Sequence, residues 1–225
     1  MKAVTSEKPG LGTLNVATPY RVSEWQYTEC QQQMAVVKIN PMKLLGPWTT
    51  GFVLDYHSVS AVPTGDPYHP FDIKRTDLGE LLYRFKYGGE AKVQGDIVDT
   101  AGDYLSKWKP EVDCVVPAPP SFKRNSQPVF ELARQLAARF TIDFCPDAVR
   151  RVKDTPSMKN IADWFERQKV LAEAIQAGAT DVKDKSILLF DDLVQSGSTL
   201  GRVSEVLQKS GGAKAVYVLA LTRTR

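Results

Sequence analysis

The sequence has little sulfur and no long apolar run, and both absences narrow what the chain can be. Its 225 residues include three cysteines, Cys30, Cys114 and Cys145, which form no Cys-x-x-Cys pair of the kind that zinc sites use. Buried free thiols are therefore expected. No stretch approaches the roughly 18 apolar residues of a membrane-spanning helix, and the N-terminus lacks the apolar core of a signal peptide. These features predict a cytoplasmic protein with no membrane partner.

An excess of one charge is also lacking, as are several well-known ligand-binding motifs. The 29 basic and 26 acidic residues leave a net charge of +3, too small an excess to indicate a nucleic-acid partner. Neither Gly-x-x-x-x-Gly-Lys-Ser/Thr nor Gly-x-Gly-x-x-Gly occurs, which excludes a P-loop and a dinucleotide loop. The two histidines, His57 and His69, have several aspartates nearby but no metal-ligand spacing.

What the chain does contain is an alternation of strand-type and helix-type patterns. Helical spacing covers residues 76–87, 93–108, 129–140, 159–177 and 199–209, and strand-type runs cover 35–39, 51–62, 114–116, 143–150, 186–190 and 215–222. Strands separated by helices need crossover connections, which produce a parallel sheet covered on both faces. We therefore predict an α/β fold with a doubly wound parallel sheet over residues 76–225. Residues 1–75 are predicted to form a β-rich extension that could serve as a hood.

One segment, Ile187 to Thr199, has the composition of a binding site. It reads ILLFDDLVQSGST, in which an apolar strand leads into Asp191 and Asp192, and a small-residue loop then opens a helix. Carboxylates accept hydrogen bonds from sugar hydroxyls, and backbone amides at a helix N-terminus bind phosphate. The alternative is an ordinary connection in which the acids only cap the following helix.

This segment resembles the phosphoribosylpyrophosphate (PRPP) motif of type I phosphoribosyltransferases: an apolar run, two acids, two apolar residues and a Ser/Thr-Gly-x-Thr loop. The resemblance implies a type I phosphoribosyltransferase-like fold in which Asp191 and Asp192 bind the ribose hydroxyls. It assigns the 5-phosphate to the loop residues Gln195, Ser196, Gly197, Ser198 and Thr199.

Outside the motif, the chain is similar to the ComF branch of these proteins. The matching elements are residues 85–89 (FKYGG), residues 116–119 (VPAP) and the Arg-rich segment 150–156 (RRVKDTP). The sequence departs from that branch in two ways. It has no cysteine-rich zinc module, and Met158 stands where a glutamine commonly follows the Thr-Pro element.

The resemblance also implies further site residues and a metal. Mg²⁺ would be held by Asp191 and Asp192 through water or PRPP. Arg151 and Lys153, in a flap that closes over substrate, would act in catalysis together with the two aspartates. The pyrophosphate-contacting loop would contribute Pro119, Pro120, Ser121, Lys123 and Arg124. The alternative is that the proline loop is only a rigid turn and that the basic side chains of both segments are only solvated.

Two classes of function follow from these features. The first is a Mg-dependent phosphoribosyltransferase that uses PRPP to ribosylate a nucleobase or a similar nitrogen nucleophile. The second is a non-catalytic protein, either a PRPP- or nucleotide-binding regulatory module or a ComF-like adaptor in DNA uptake or repair. The sequence does not identify the acceptor, and it leaves open whether the chain forms a homo-oligomer.

Overall fold

A mostly parallel sheet organises the molecule. The computed structural model describes residues 36–120, 127–153, 161 and 163–225. Within them, the sheet comprises β1 (Met42–Lys43), β2 (Thr50–Tyr56), β5 (Cys114–Pro117), β6 (Asp143–Phe144), β9 (Ser186–Val194) and β10 (Ala215–Arg223). Its spatial order is β1-β2-β10-β9-β5-β6. β1 runs antiparallel to β2, and every other neighbouring pair is parallel. The predicted parallel α/β sheet is confirmed.

Helices cover both faces of the sheet. They are α1 (Asp77–Tyr87), α2 (Val93–Trp108), α3 (Pro128–Phe140), α4 (Trp164–Ala174) and α5 (Ser198–Glu205), the last continued by a π-helical turn over Val206–Ser210. One core joins the sheet to α1, α2 and α3, and a second core joins it to α4 and α5. β9 serves both cores, because Ile187 and Leu189 face the second while Leu188 and Phe190 face the first. A strand buried on both faces is typical of a parallel sheet.

Local sequence signals position the helices near the site. The Thr76 hydroxyl accepts a hydrogen bond from the Gly79 amide at the start of α1, and Asp77 and Glu80 lie in its first turn, where the helix dipole favours acids. Pro128 begins α3, a position at which its missing N–H costs nothing. The helices predicted over 76–87 and 93–108 are confirmed within a residue.

Two predicted elements are wrong because tertiary pairing overrides local pattern. The helix predicted to reach residue 177 ends at Ala174, and Ile175–Ala177 instead forms β8. β8 pairs antiparallel with β7 (Val149–Arg151), which buries Ile175 in the core that contains α5. The single strand predicted over 143–150 is correspondingly two, β6 in the main sheet and β7 in this small one.

A hairpin leaves the sheet where β2 ends. The strand-type run 51–62 divides at His57 into β2 and β3 (Ser58–Pro63), and β3 pairs antiparallel with β4 (Phe71–Arg75). The base of the hairpin is held near that edge, because the Thr76 hydroxyl donates to the Tyr56 carbonyl. β2 falls within the predicted N-terminal extension, but it belongs to the main sheet. The predicted boundary between an extension and an α/β domain at residue 75 stays a prediction. The predicted strand 35–39 is irregular over residues 36–39.

None of the helices in the described residues is both long enough and apolar enough to cross a membrane.

Gly79 allows α1 to pack directly on the backbone after β2, and we expect its replacement to be costly. A Cβ at position 79 would lie 2.1 Å from the His57 carbonyl oxygen, whereas one at Gly95 in α2 would meet nothing within 4 Å. Gly79→Ala should lower the free energy of unfolding by about 1–3 kcal/mol through overpacking. Gly95→Ala, the matched control, should be neutral or stabilise by up to roughly 1 kcal/mol. Denaturant midpoints of the two variants check this, and equal midpoints would contradict the tight contact.

Candidate functional site

The carboxyl ends of four parallel strands meet at one edge of the sheet. Tyr56 of β2 is in register with Arg223 of β10, and Arg223 is in register with Val194 of β9. Pro117 of β5 pairs with Phe190, and the Ala118 amide donates to the Phe190 carbonyl at 2.8 Å. The ends of β2, β10, β9 and β5 therefore form one continuous rim. This is the edge at which doubly wound sheets bind ligands.

Asp191 and Asp192 lie inside β9 and not after it. The strand was predicted to end at Phe190, but it continues to Val194 because Asp191 and Leu193 pair with Ala220 and Thr222 of β10. Successive side chains on a strand point to opposite faces. The two carboxylates are therefore held by a rigid element, one on each side of the sheet at its rim.

Lys86 of α1 reaches Asp192 from one face. Its Nζ lies 2.8 Å from Asp192 Oδ1, and the two side chains are only 13% and 16% exposed. Sequence reasoning did not include Lys86 among the site residues, although it lies in the FKYGG element. The only signal was that element itself, because the contact depends on how α1 packs. An ion pair this shielded from water is stronger than an exposed one.

Asp191 is half-buried beside Asp192. Burial, with the neighbouring Asp192 charge second, raises the pKa of Asp191 to about 7. The backbone amide of Asp192, which donates to Asp191 Oδ1 at 2.9 Å, and the charge of Lys86 act in the opposite direction. Near neutral pH this carboxyl can therefore both donate and accept a hydrogen bond.

The loop after β9 has the geometry of an anion site. Gly197 has φ 76°, a left-handed conformation that favours glycine, and it caps the N-terminus of α5. The helical ladder begins with the Gly201 amide donating to Gly197 O, so the amides of Ser198 and Thr199 lie ahead of it, and the Ser198 amide donates to Ser196 Oγ at 3.4 Å. The Ser196 and Ser198 hydroxyls are 2.9 Å apart. Backbone amides, hydroxyls and the helix dipole converge there, and the exposed Gln195 begins the loop.

The start of the predicted pyrophosphate loop lies beside β9. The bond from Ala118 to Phe190 brings the start of that loop next to Asp191, with Pro119 buried and Pro120 half-buried. Ser121, Lys123 and Arg124 lie outside the described residues. Within the described ranges, no group of three or more His, Cys, Asp or Glu side chains is placed to hold a metal ion.

Arg151 and Lys153, the two basic residues predicted to act in catalysis, lie at the end of β7 and just after it. Arg151 is half-buried at the end of β7, opposite Ile175 of β8, whose carbonyl accepts a bond from Arg202 of α5. Lys153 is exposed, and its Nζ lies 2.8 Å from Glu173 Oε2. Lys153 is thus turned toward α4 in this structure, and the roles of both bases stay predictions.

His57 and Thr222 are two rim residues that sequence reasoning did not include in the site. The fully buried Thr222 hydroxyl donates to the Asp192 carbonyl at 3.1 Å and lies 3.4 Å from His57 Nδ1. Desolvation, followed by the charges of Arg75 and Lys86, lowers the pKa of His57 below its ordinary value. No local pattern marks these residues, because β2 and β10 are far apart along the chain and adjacent only in the sheet.

Comparisons with solved structures return phosphoribosyltransferases. A hypoxanthine phosphoribosyltransferase from Staphylococcus aureus is 16% identical, with 58% of this chain and 64% of that chain covered and a TM-score of 0.38. An adenine phosphoribosyltransferase from Thermoanaerobacter pseudethanolicus is 15% identical, with 74% and 84% covered and a TM-score of 0.42. The adenine enzyme of Trypanosoma brucei, in complex with AMP, pyrophosphate and ribose-5-phosphate, is 13% identical, with 82% and 74% covered and a TM-score of 0.42.

The chain thus spans less than two thirds of the length of the hypoxanthine enzyme. No model of a protein family matches the sequence, and no curated protein is significantly similar to it. At these identities and TM-scores the similarities establish neither substrate nor activity.

The raised pKa of Asp191 predicts a specific pH dependence of stability. Because the folded-state pKa of about 7 exceeds the ordinary value of 3.8, the proton stabilises the fold fully below about pH 4 and this contribution is lost as the pH rises through 7. Asp191→Asn should therefore gain stability relative to wild type as the pH increases from about 4 to 8. Urea unfolding of both proteins across this range measures the difference. The exposed Asp147→Asn, with the same formal change of charge, is the control, and parallel curves for all three proteins would refute the shift.

Proposed function

We propose that the chain binds PRPP at the carboxyl rim of its sheet and transfers the phosphoribosyl group to a nitrogen nucleophile. One observation carries this proposal: the paired carboxylates of Asp191 and Asp192 lie on the same strand that leads directly into the Gly197-capped anion site of α5. A sugar with adjacent hydroxyls and a 5-phosphate needs both features at that spacing. An ordinary helix cap needs neither the second acid nor the left-handed glycine.

The ribose hydroxyls bind the two aspartates in this proposal. Asp192 accepts from one hydroxyl while Lys86 keeps its carboxylate oriented, since the 2.8 Å pair uses only one oxygen of the carboxylate. Asp191 meets the other hydroxyl and can either donate or accept near its pKa of about 7. Because both acids belong to a strand paired on both sides, they need little rearrangement to bind the sugar.

The 5-phosphate binds the loop Gln195, Ser196, Gly197, Ser198 and Thr199. Amides ahead of the α5 ladder point out of the helix N-terminus, and partial positive charge there favours an anion. The Ser196 and Ser198 hydroxyls, which contact each other at 2.9 Å, can turn to donate to phosphate oxygens. The proposal therefore needs no lysine at the phosphate.

The pyrophosphate lies between β9 and the loop after β5. Pro119 and Pro120 form the described start of this loop, and Ser121, Lys123 and Arg124 continue it as proposed leaving-group ligands. Arg151 and Lys153 are proposed to close over the same group. Mg²⁺ binds few protein carboxylates and prefers ligand oxygens and water, so Asp191 and Asp192, through water or PRPP, suit it. When bound, the cation would neutralise charge on the pyrophosphate.

Catalysis in this site is chiefly positioning and charge stabilisation. Departure of pyrophosphate leaves positive charge on the ribosyl group, and the carboxylates at the rim stabilise that charge by proximity. The basic side chains stabilise the leaving group, and closure of the flap excludes water that would hydrolyse the sugar. The acceptor is a nucleobase or similar heterocycle, and the β3–β4 hairpin, which begins at the rim, is proposed as part of its hood. The ComF-like elements, residues 85–89, 116–119 and 150–156, are proposed to be parts of this same phosphoribosyltransferase site.

A second candidate is a regulatory module, or a ComF-like adaptor, that binds the ligand without turnover. The pair between Lys153 and Glu173 favours this reading, because it engages one of the proposed catalytic cations away from the rim. Both candidates share the PRPP site and differ only in chemistry. Separate measurements of binding and of turnover therefore distinguish them.

Binding is tested by calorimetry with PRPP and Mg²⁺. Wild type should bind, and Asp191→Asn combined with Asp192→Asn should weaken binding about ten- to hundredfold, because two carboxylate hydrogen bonds to the ribose lose their charge. Glu111→Gln combined with Asp184→Asn, both exposed, removes the same formal charge at the opposite edge of the sheet, ahead of β5 and β9, and should bind as wild type does. Binding that is absent in wild type, or equally weak in both double variants, would contradict the site.

Turnover is tested by pyrophosphate release. Wild type with PRPP, Mg²⁺ and a panel of adenine, hypoxanthine, guanine, uracil and orotate should release pyrophosphate faster with at least one base than without any base. The Asp191→Asn and Asp192→Asn double variant should lose this release. Tight PRPP binding with release no faster than the base-free rate for the entire panel would exclude transfer to these bases and favour the regulatory module.

A further inference from the structure

His57 is held rigidly at the turn between β2 and the hairpin. Its amide donates to the Arg223 carbonyl at 2.7 Å, which ties it to the end of β10. On its other side its carbonyl faces Gly79, where even a methyl group would come within 2.1 Å. The backbone of His57 is therefore fixed between the last strand of the sheet and the first turn of α1. Such support on rigid elements is what a functional side chain requires.

The Thr222 hydroxyl favours one tautomer of His57. A hydroxyl has one proton, and the Asp192 carbonyl oxygen, 3.1 Å from the Thr222 hydroxyl, is nearer to it than His57 Nδ1 at 3.4 Å. With its proton on the Asp192 carbonyl, the hydroxyl accepts from His57 Nδ1. Nδ1 is then the donor, and in a neutral imidazole Nε2 is left with a lone pair.

The charges around His57 favour the neutral ring. Arg75 of β4 and Lys86 of α1 oppose protonation, while Asp192 of β9 and Glu80 of α1 support it. Desolvation is the largest effect and also opposes protonation, so the pKa of His57 lies below its ordinary value. At neutral pH the imidazole is thus an available hydrogen-bond acceptor beside the Asp192 end of β9.

We propose that His57, through Nε2, accepts the proton of the N–H group of the nitrogen nucleophile during phosphoribosyl transfer. This inference rests on the proposed function and gives the acceptor site a named catalytic residue. The nucleophile nitrogen forms a bond to the anomeric carbon as the bond from that carbon to pyrophosphate breaks, and the electron pair leaves with pyrophosphate. The nitrogen's proton passes to Nε2 and is later released to water. The ligand class is therefore a heterocycle with an ionisable ring N–H.

The other acids at the rim are less suited to this step. Asp192 is ion-paired with Lys86, and in the proposed function both Asp191 and Asp192 bind the ribose. Asp55 of β2 is 8% exposed and its Oδ1 accepts from the adjacent Tyr56 amide at 2.7 Å. His57 lies where β2 passes into the β3–β4 hairpin, which is proposed as part of the hood over the acceptor.

The tautomer can be measured without any substrate. The chain has two histidines, so nitrogen NMR of protein labelled in the histidine ring gives two sets of signals, and His57→Asn assigns them. His57 should be neutral at pH 7 with the proton on Nδ1. Its titration midpoint should lie below the value of about 6.5 for free histidine. A proton on Nε2, or a ring charged at pH 7, would overturn the proposal whether or not the protein binds PRPP.

The catalytic role is tested with two amide variants of the full chain. Asparagine can retain a donor toward Thr222 but lacks an acceptor at the Nε2 position, whereas glutamine can place its oxygen there. His57→Asn should reduce kcat about 10²- to 10⁴-fold, the range for loss of a general base, with PRPP affinity unchanged within about twofold. His57→Gln should retain acceptor affinity but not the proton transfer. Asp184→Asn, at an exposed position ahead of β9 on the opposite edge of the sheet, is the control.

The outcomes separate this inference from the proposed function. If wild type binds no PRPP, both fail together. If it binds PRPP and transfers, but His57→Asn transfers at the wild-type rate, only the role of His57 fails. If it binds PRPP without turnover, each base of the panel is added to the PRPP complex. Movement of the His57 Nε2 signal by at least one base then supports acceptor binding at His57, and its absence with every base overturns the inference.

Discussion

The Lys86–Asp192 ion pair is the contact on which the arrangement of the carboxyl rim depends. It joins α1 to β9, and so connects the helix that follows the β3–β4 hairpin to the strand that carries both site aspartates. Burial, and second to it the neighbouring charge of Asp192, raises the pKa of Asp191. A lysine amine on one of the two acids reduces their repulsion, and it leaves the other acid free to respond to pH or to a sugar hydroxyl.

The same pair bears on the proposed binding of a charged ligand at a rigid sheet edge. In the proposed function, PRPP brings a phosphate and a pyrophosphate to a rim where Lys86 already pairs with Asp192. The ligand would then meet a lysine whose position at the rim is already set. Preorganised charge of this kind needs little rearrangement on binding.

The sequence predicts much of this structure, and the failures share one cause. Helix α1 begins at Thr76 as expected, because caps, acidic first turns and apolar spacing are local signals. The apolar run that predicts this strand ends at Phe190, ahead of Asp191 and Asp192, yet pairing with β10 extends β9 through both acids. Lys86 and His57 join the rim only through the strand order β2-β10-β9 and the packing of α1. No spacing within one segment encodes such contacts.

The sheet order also bears on how the rim is made during synthesis. Thr222 and His57 are 165 positions apart, and β10, which separates β2 from β9, is the last of these strands in chain order. Until β10 is in place, β2 has no parallel neighbour, and the hydroxyl that orients His57 is missing. Contacts this distant along a chain form slowly, because loop-closure entropy must be overcome first. The part of the rim that joins β2 to β10 should consequently form late in folding, after the helices, whose contacts are local.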